Sequence, residues 1–379
     1  MIAITTIKDT IMLTLTDNHQ NTASVTRRAF LALAAAGAGL AFIPTEASAS
    51  TRQEPSEITD SLMRPVSLGD AVERCIIPLG PNAQALLEML CPDSLASLVV
   101  AVSEEAAECA NNSMLKLDSL SQTKGERGDL HNTARKLRAT KTDDIKPSLI
   151  LDVGTPKDNI ESELDALERE TGIPCAFIDI SFGKLPDAFR KVSVLLGCAS
   201  RGEELASATE RALELSMASS EYSTPAKVFY APRENGIKVG SGVSVQAAAI
   251  EHVGAQPITS AYDYSNKTVS FATLLEDDPD MIVFDDTGIT SLLKDKGDET
   301  SFQWSKIPAI EWNRFIVSPS LMKSWFGSIV FVQSAGVLWL SKMLHPESSS
   351  YDLAAEIQDL YSLFYGLEKS REEIESLIG

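Results

Sequence analysis

The chain has 379 residues, enough for two ordinary domains and too many for one compact core. Apolar residues make up 44% and aromatics 6%, a soluble globular balance. Against 53 Asp+Glu there are 33 Lys+Arg, a formal net charge of -20, which excludes a phosphate-neutralising nucleic-acid binder and adsorption on anionic lipid. Only four histidines occur, His19, His131, His252 and His345, too few for a His-rich metal centre.

Residues 1–49 read as a twin-arginine signal peptide. Thr26-Arg27-Arg28-Ala29-Phe30-Leu31 places an arginine pair before an aromatic and a leucine, and residues 29–43 carry no charge. Ala47-Ser48-Ala49 then supplies small residues at the spacing a signal peptidase needs. The apolar run is shorter than the roughly 20 residues of a spanning helix. No cysteine adjoins the cleavage site, so no lipid anchor is expected. The mature product is expected to be periplasmic, or secreted from a cell with one membrane. Its five cysteines are Cys75, Cys91, Cys109, Cys175 and Cys198, an odd number without a CxxC, and are read as structural or inert thiols.

Residues 50–65 are polar, with no apolar period, and are expected to be a flexible lead-in. Short β-rich runs and amphipathic helical runs then alternate. Strands are predicted at 75–79 and 95–102, with a helix over 83–90 between them. The basic cluster Arg135-Lys136-Leu137-Arg138 reads as a solvated helix face. A strand at 147–154, a helix at 158–170 and a strand at 174–180 make a β–α–β unit, which requires a parallel crossover. Two helices, 185–196 and 201–217, flank a break at Gly197. The alternation restarts with strands at 227–230, 281–284 and 314–317 and a helix ending at His252, and closes with helices at 328–344 and 350–365. The division is an N-terminal lobe over 66–184, a helical segment over 185–222 and a C-terminal lobe over 223–379.

Enzyme motifs are absent. Gly240-Ser241-Gly242 lacks the third glycine of a dinucleotide fingerprint, and no P-loop lysine follows it. There is no G-x-S-x-G and no H-E-x-x-H. Asp285-Asp286 reads as a cap or a solvated loop before it reads as an acid–base pair. The turns after strands are more telling as a set: Gly80-Pro81-Asn82, Gly154-Thr155-Pro156, Gly240-Ser241-Gly242 and Asp286-Thr287-Gly288. In open α/β sheets, ligands bind outside the carboxyl ends of strands, where helix N-termini offer free N–H groups.

Residues 147–156, followed by Glu168-Arg169-Glu170-Thr171-Gly172-Ile173-Pro174, resemble the N-lobe of periplasmic substrate-binding proteins of the iron-siderophore/cobalamin ABC-transporter family. The resemblance continues through the Leu196-Gly197 break, Phe229-Tyr230, Ile250-Glu251-His252-Val253-Gly254, Asp278-Pro279-Asp280-Met281-Ile282, Ser318-Pro319-Ser320, Trp325-Phe326 and Phe364-Tyr365-Gly366. It implies an α/β fold of two Rossmann-like lobes joined by a single long bridging helix. It also implies a monomer without a resident cofactor that binds a small-molecule metal chelate (a ferric siderophore, a corrinoid, haem, or sometimes an oxyanion such as molybdate) for an ABC transporter permease, without turnover. Gly80, Pro81, Asn82, Thr155 and Pro156 would line the cleft from one lobe, and Tyr230, Ser241, Thr287 and Trp325 from the other. The family's exposed glutamates, one per lobe, are missing from Thr133-Ala134-Arg135-Lys136-Leu137 and from Ala272, with Glu251 and Glu276 as candidate substitutes. Gly327-Ser328-Ile329-Val330-Phe331-Val332-Gln333 departs from the family's polar run. The rival classes are an exported α/β enzyme and a sensor that keeps the binding fold without transport.

Overall fold

The computed structural model describes residues 57–67, 76–79, 81–91, 148–217, 225–232, 243–258, 269–285, 293, 299–321 and 324–378. The signal segment, the strand expected at 95–102 and the basic cluster at 135–138 lie outside the described residues.

Strand alternation organises the first half. Strands β3 (Ile76–Leu79), β4 (Leu149–Gly154) and β5 (Cys175–Asp179) form a parallel sheet with β4 in the middle. Helix α1 (Pro81–Leu90) follows β3, and α2 (Ile160–Thr171) connects β4 to β5. Successive side chains on a strand point to opposite faces. Ile76, Leu149, Leu151, Val153, Ala176 and Ile178 therefore enter the main core. Their neighbours Ile77, Ile150, Cys175 and Phe177 enter a smaller one, closed by Ile160, Leu164 and Leu167 of α2. The expected β–α–β unit is present, with parallel register Ile150↔Cys175.

The lead-in departs from expectation. Glu57–Thr59 (β1) and Pro65–Ser67 (β2) pair as an antiparallel hairpin. Its turn is held by Asp60, wholly buried, whose carboxylate accepts the backbone N–H groups of Leu62 and Arg64 at 2.9 and 3.0 Å and the Arg64 guanidinium at 2.8 and 3.0 Å. The same carboxylate accepts the Phe177 N–H at 3.2 Å. Ser61 N–H donates to Phe177 O at 2.8 Å, the Arg64 guanidinium to Cys175 O at 3.0 Å, and Asp179 N–H to Ser61 Oγ at 3.0 Å. Four backbone groups along the outer edge of β5 are thus satisfied by residues 60–64. An open strand edge invites pairing with other chains, and this turn covers it.

The helical segment contains α3 (Leu185–Leu195), a turn through Gly197, and the 18-residue α4 (Ala199–Ser216), about 27 Å long at 1.5 Å per residue. The second sheet is built from β6 (Lys227–Ala231), β7 (Gln256–Pro257), β8 (Met281–Phe284) and β9 (Phe315–Val317), all parallel, in the order β7-β6-β8-β9. Helix α5 (Val243–His252) lies between β6 and β7, α6 (Phe271–Asp277) before β8, and α7 (Glu299–Trp304) and α8 (Pro308–Glu311) before β9. The chain closes through α9 (Ile329–Phe331), which runs by a π-helical stretch, Val332–Gly336, into α10 (Val337–Leu344). Then come α11 (Leu353–Tyr365) and α12 (Arg371–Ile378), the last not foreseen from the sequence.

Helix α4 is fastened at both ends. Near its start, Arg201 donates to Met89 O at 3.2 Å and to Leu363 O, carbonyls in the last turns of α1 and α11. A cation is favoured at a helix C-terminus, where carbonyls lack intrahelical donors. Near its end, His252 Nε2 lies 2.8 Å from Leu213 O and 3.2 Å from Ser216 Oγ.

Replacing Asp60 with Ala removes one partner of the half-buried Arg64 guanidinium and the acceptor for the Phe177 N–H. Leaving a buried polar group without its partner costs about 1–3 kcal/mol. The Asp60→Ala chain is expected to unfold at a correspondingly lower urea concentration, and an unchanged midpoint would show that the hairpin is not held by this carboxylate.

Candidate functional site

Because each sheet is parallel, its loops after strands collect along one edge. In the first sheet these are Pro81-Asn82 after β3, Thr155-Pro156 after β4 and residues 180–183 after β5. Asn82 Nδ2 donates to Val153 O at 3.4 Å, bringing the start of α1 against the end of β4. Asn82 and Thr155 are half-buried and Pro156 is exposed. The structure thus gathers Asn82, Thr155 and Pro156 on one rim, with Pro81 as the first residue of α1. Gly80, Ser241 and Thr287 lie outside the described residues.

In the second sheet the edge is made by Asp285 after β8 and by the turn that follows β9. Ser318, wholly buried, accepts the Phe326 N–H at 2.9 Å and lies 3.0 Å from Ser324 Oγ. Ser324 Oγ accepts the Gly327 N–H at 2.9 Å, and Trp325 N–H donates to Pro319 O at 2.9 Å. This web turns Trp325 and Phe326 inward, both 0% exposed. The Trp325 indole N–H donates to the Tyr361 hydroxyl at 2.7 Å. Burial pushes the Tyr361 phenol up to about 12, with that indole bond pulling the other way. Tyr230 is buried as well, its ring edge-on to Phe326 at 5.2 Å. Trp325 and Tyr230, expected as stacking faces for a ligand, are instead core residues under the turn. Sequence patterning identifies a large aromatic after a strand but not which way the turn points it.

The departing segment joins the two edges. A Cβ placed on Gly327 would lie 2.1 Å from Asp285 Oδ1, so any larger residue here requires this carboxylate to move. Gln246 of α5 donates to Phe326 O at 3.0 Å and Gly327 O at 3.3 Å. Six residues beyond Gly327, the buried Gln333 reaches the other sheet: its Nε2 donates to Ile180 O at 2.9 Å, and its Oε1 accepts the Gly183 N–H at 2.7 Å. Residues 327–333 therefore span from the carboxyl edge of the second sheet to that of the first. The π stretch inserts an extra residue into the helical turn, as often seen at functional sites. At Gly336 the helix passes so close that a Cβ would lie 2.4 Å from Trp325 O.

Two acceptor atoms at this junction, Asp285 Oδ1 and Gln246 Oε1, are buried without a hydrogen-bond partner. Such groups are rare in native structures and mark places where a ligand or water completes the bonding. Among the described residues no three His, Cys, Asp or Glu side chains cluster as a bare metal ion would need. Sequence reasoning missed Gln246, Gly327 and Gln333. The available signal was a lone amide, Gln333, at the end of an apolar run, since a buried polar group needs a partner.

Replacing Gln333 with Leu leaves Ile180 O and the Gly183 N–H without partners inside the protein. At about 1–3 kcal/mol for an orphaned buried group, the Gln333→Leu chain is expected to lose about 1–3 kcal/mol of stability, chiefly through the buried Ile180 carbonyl. Amide exchange at Gly183 should accelerate at the same time; native protection there would show that Gln333 does not hold the loop.

Residues 141–321 match the family model described as periplasmic binding protein. The molybdate-binding protein MolA of Haemophilus influenzae is 28% identical over 120 residues, 31% of this chain and 32% of that protein, so the alignment spans about a third of that relative's length. An ABC transporter solute binding protein from Sulfurospirillum deleyianum superposes with a TM-score of 0.63 at 16% identity, covering 85% of this chain and 98% of that one. MolA of H. influenzae bound to molybdate superposes with a TM-score of 0.60 at 19% identity, over 83% of this chain and 99% of its own. These structures share the fold: parallel sheets and helices over nearly the whole neighbour. The family match thus covers residues 141–321, and the structural likeness extends the shared fold over most of the chain.

Proposed function

We propose that this chain is an exported, monomeric substrate-binding protein that captures a small metal-containing ligand and presents it to an ABC importer permease. The observation that carries the reading is the span of residues 327–333 between the carboxyl edges of two parallel sheets. Ligands of open α/β proteins bind outside those edges, and here one segment forms a floor between two of them. The two sheets are read as two Rossmann-like lobes and α4 as the bridging helix; the bonds at its ends, to α1 on one side and α5 on the other, support this. Gly80, Pro81, Asn82, Thr155 and Pro156 are assigned to one wall of the cleft, and Ser241, Thr287 and Asp285 to the other. Tyr230 and Trp325 support the floor from beneath. Binding without turnover is the family's mode of action, and the motifs of an exported enzyme are lacking.

The charge at the floor bears on the ligand class. Asp285 presents an acceptor without a donor beside it, and the chain carries a formal net charge of -20. A bare oxyanion such as the molybdate named for MolA meets like charge at such a carboxylate, whereas a chelate brings N–H or O–H donors from its organic part. The reading therefore favours a donor-bearing chelate, such as a ferric siderophore or a corrinoid, over a free anion. For docking to the permease, Ala272 and Glu276 are both exposed one turn apart on α6, so that face keeps a carboxylate in place of the family's glutamate. Twin-arginine export, without a lipid anchor, places the mature protein in the periplasm or outside the cell.

Two measurements test the reading. Titration calorimetry of the purified chain against ferric hydroxamate and catecholate siderophores, cyanocobalamin, haemin and molybdate is expected to give micromolar or tighter binding for one chelate and none for molybdate. Asp285→Ala should weaken that binding about 10–100-fold, the loss of one charge-assisted hydrogen bond at about 1.5–3 kcal/mol. Binding of molybdate alone, or silence across the panel, overturns the chelate assignment. In the producing cell, replacing Arg27 and Arg28 together with Lys is expected to hold the precursor in the cytoplasm; unaltered appearance of mature protein outside it removes the export claim.

A further inference from the structure

The start of α4 holds a pair of thiols that the proposed binding role does not use. Cys91 directly follows α1 and is 8% exposed; Cys198 is the N-cap residue of α4 and is partly accessible. Their sulfurs are 3.6 Å apart although 107 residues separate them in sequence. Both backbones are fixed where they meet. Cys91 N–H donates to Leu87 O at 2.9 Å, Cys198 N–H to Ser193 O at 2.9 Å, and Gly202 N–H to Cys198 O at 3.1 Å. Arg201, one turn into α4, ties the same junction by donating to Met89 O. A disulfide needs its sulfurs about 2.05 Å apart, so closure requires the two sulfurs, now in contact, to approach further between two chain segments that are already held.

We infer that Cys91 and Cys198 form a disulfide that staples the C-terminal end of α1 to the start of α4. The oxidant is a disulfide, either a low-molecular-weight one or an oxidoreductase in its disulfide form. The accessible Cys198 sulfur attacks it, forming a mixed disulfide and releasing one thiol. The Cys91 sulfur then attacks Cys198, releasing the second thiol. The protein dithiol gives up two electrons and two protons, and the oxidant takes them up as two thiols. The remaining described cysteine is a poor competitor by position: Cys175 is buried within the smaller core, where an external disulfide does not reach it. The hydrogen bond with Cys91, together with burial, holds the Cys198 thiol above its ordinary range. Closure is therefore slow at neutral pH and faster in alkali, the behaviour of a structural bridge and not of a standing nucleophile.

The test uses the full chain, reduced and then exposed to glutathione disulfide, alkylated and digested with trypsin and a glutamate-specific protease. Cleavage puts Cys91 on peptide 89–104 and Cys198 on peptide 192–201, with no other cysteine on either. The expected product is these two peptides joined, lighter by two hydrogens than the separate thiols, while Cys175 remains alkylatable after unfolding. Closing a loop of this length is expected to shift the unfolding equilibrium of the oxidised chain by about 10²–10³-fold relative to the reduced one. That difference should vanish in Cys91→Ser and in Cys198→Ser. Alkylation of both residues as separate thiols after oxidation, or a linkage of Cys91 to Cys75 or Cys109, overturns the inference. So does a linked pair with no difference in stability from the reduced chain.

Discussion

The buried amide of Gln333 is the constraint around which the candidate site is arranged. It has one donor bond and one acceptor bond to the loop after β5, the first buried and the second reaching the exposed Gly183. Its own helix is seated on the turn after β9, because Gly327 clears Asp285 and Gly336 clears the Trp325 carbonyl. A polar side chain in an otherwise apolar run thus ties the carboxyl edge of one sheet to that of the other. Phe331, two residues earlier, stacks on Tyr365 at 5.6 Å and fixes the same helix against α11. The amide sets position, and the aromatic contacts supply the burial.

What the sequence made legible follows from periodicity. The β4–α2–β5 unit shows a fully apolar strand, a helix with apolar residues at 160, 164 and 167, and a second apolar strand. Periods of 2 and 3.6 suffice to read these, and the two cores separate the side chains accordingly. The β1–β2 hairpin was not legible, because its three-residue strands carry no period and its stability comes from a partner more than 100 residues away. Asp60 and Arg64 look like ordinary surface charges until β5 offers its edge. The site was legible by location and not by side chain. Strand-end turns marked Asn82, Thr155 and Pro156, whereas the inward rotation of Trp325 depends on hydroxyl bonds from Ser318 and Ser324 that no hydropathy pattern encodes.

Helix α4 bears on how such a site operates. Its first turn is clamped by Arg201 to two helix ends, and its last turn is met by His252. A helix held this way resists bending at either end, since any hinge there exposes carbonyls that now have donors. The histidine count, too low for a metal centre, acquires a structural meaning as well. His252 is bonded to the end of α4, and His345 Nε2 lies 2.7 Å from Val253 O, just past α5. Both described histidines serve helix ends.

On the proposed reading, recognition then falls to groups at the rim and floor and not to closure of one lobe on the other. That places a premium on what the floor already presents: two oxygen acceptors, Asp285 Oδ1 and Gln246 Oε1, buried beside Gly327 with no protein donor to meet them. On that reading, an acceptor without a protein donor favours a ligand that supplies one. Gly327 passes close to the same carboxylate, on the way of the chain toward Gln333. Ligand preference and the tie between the sheets therefore rest on the same few atoms. A ligand that brings its own oxygens to this floor must displace that arrangement, while one that brings donors completes it.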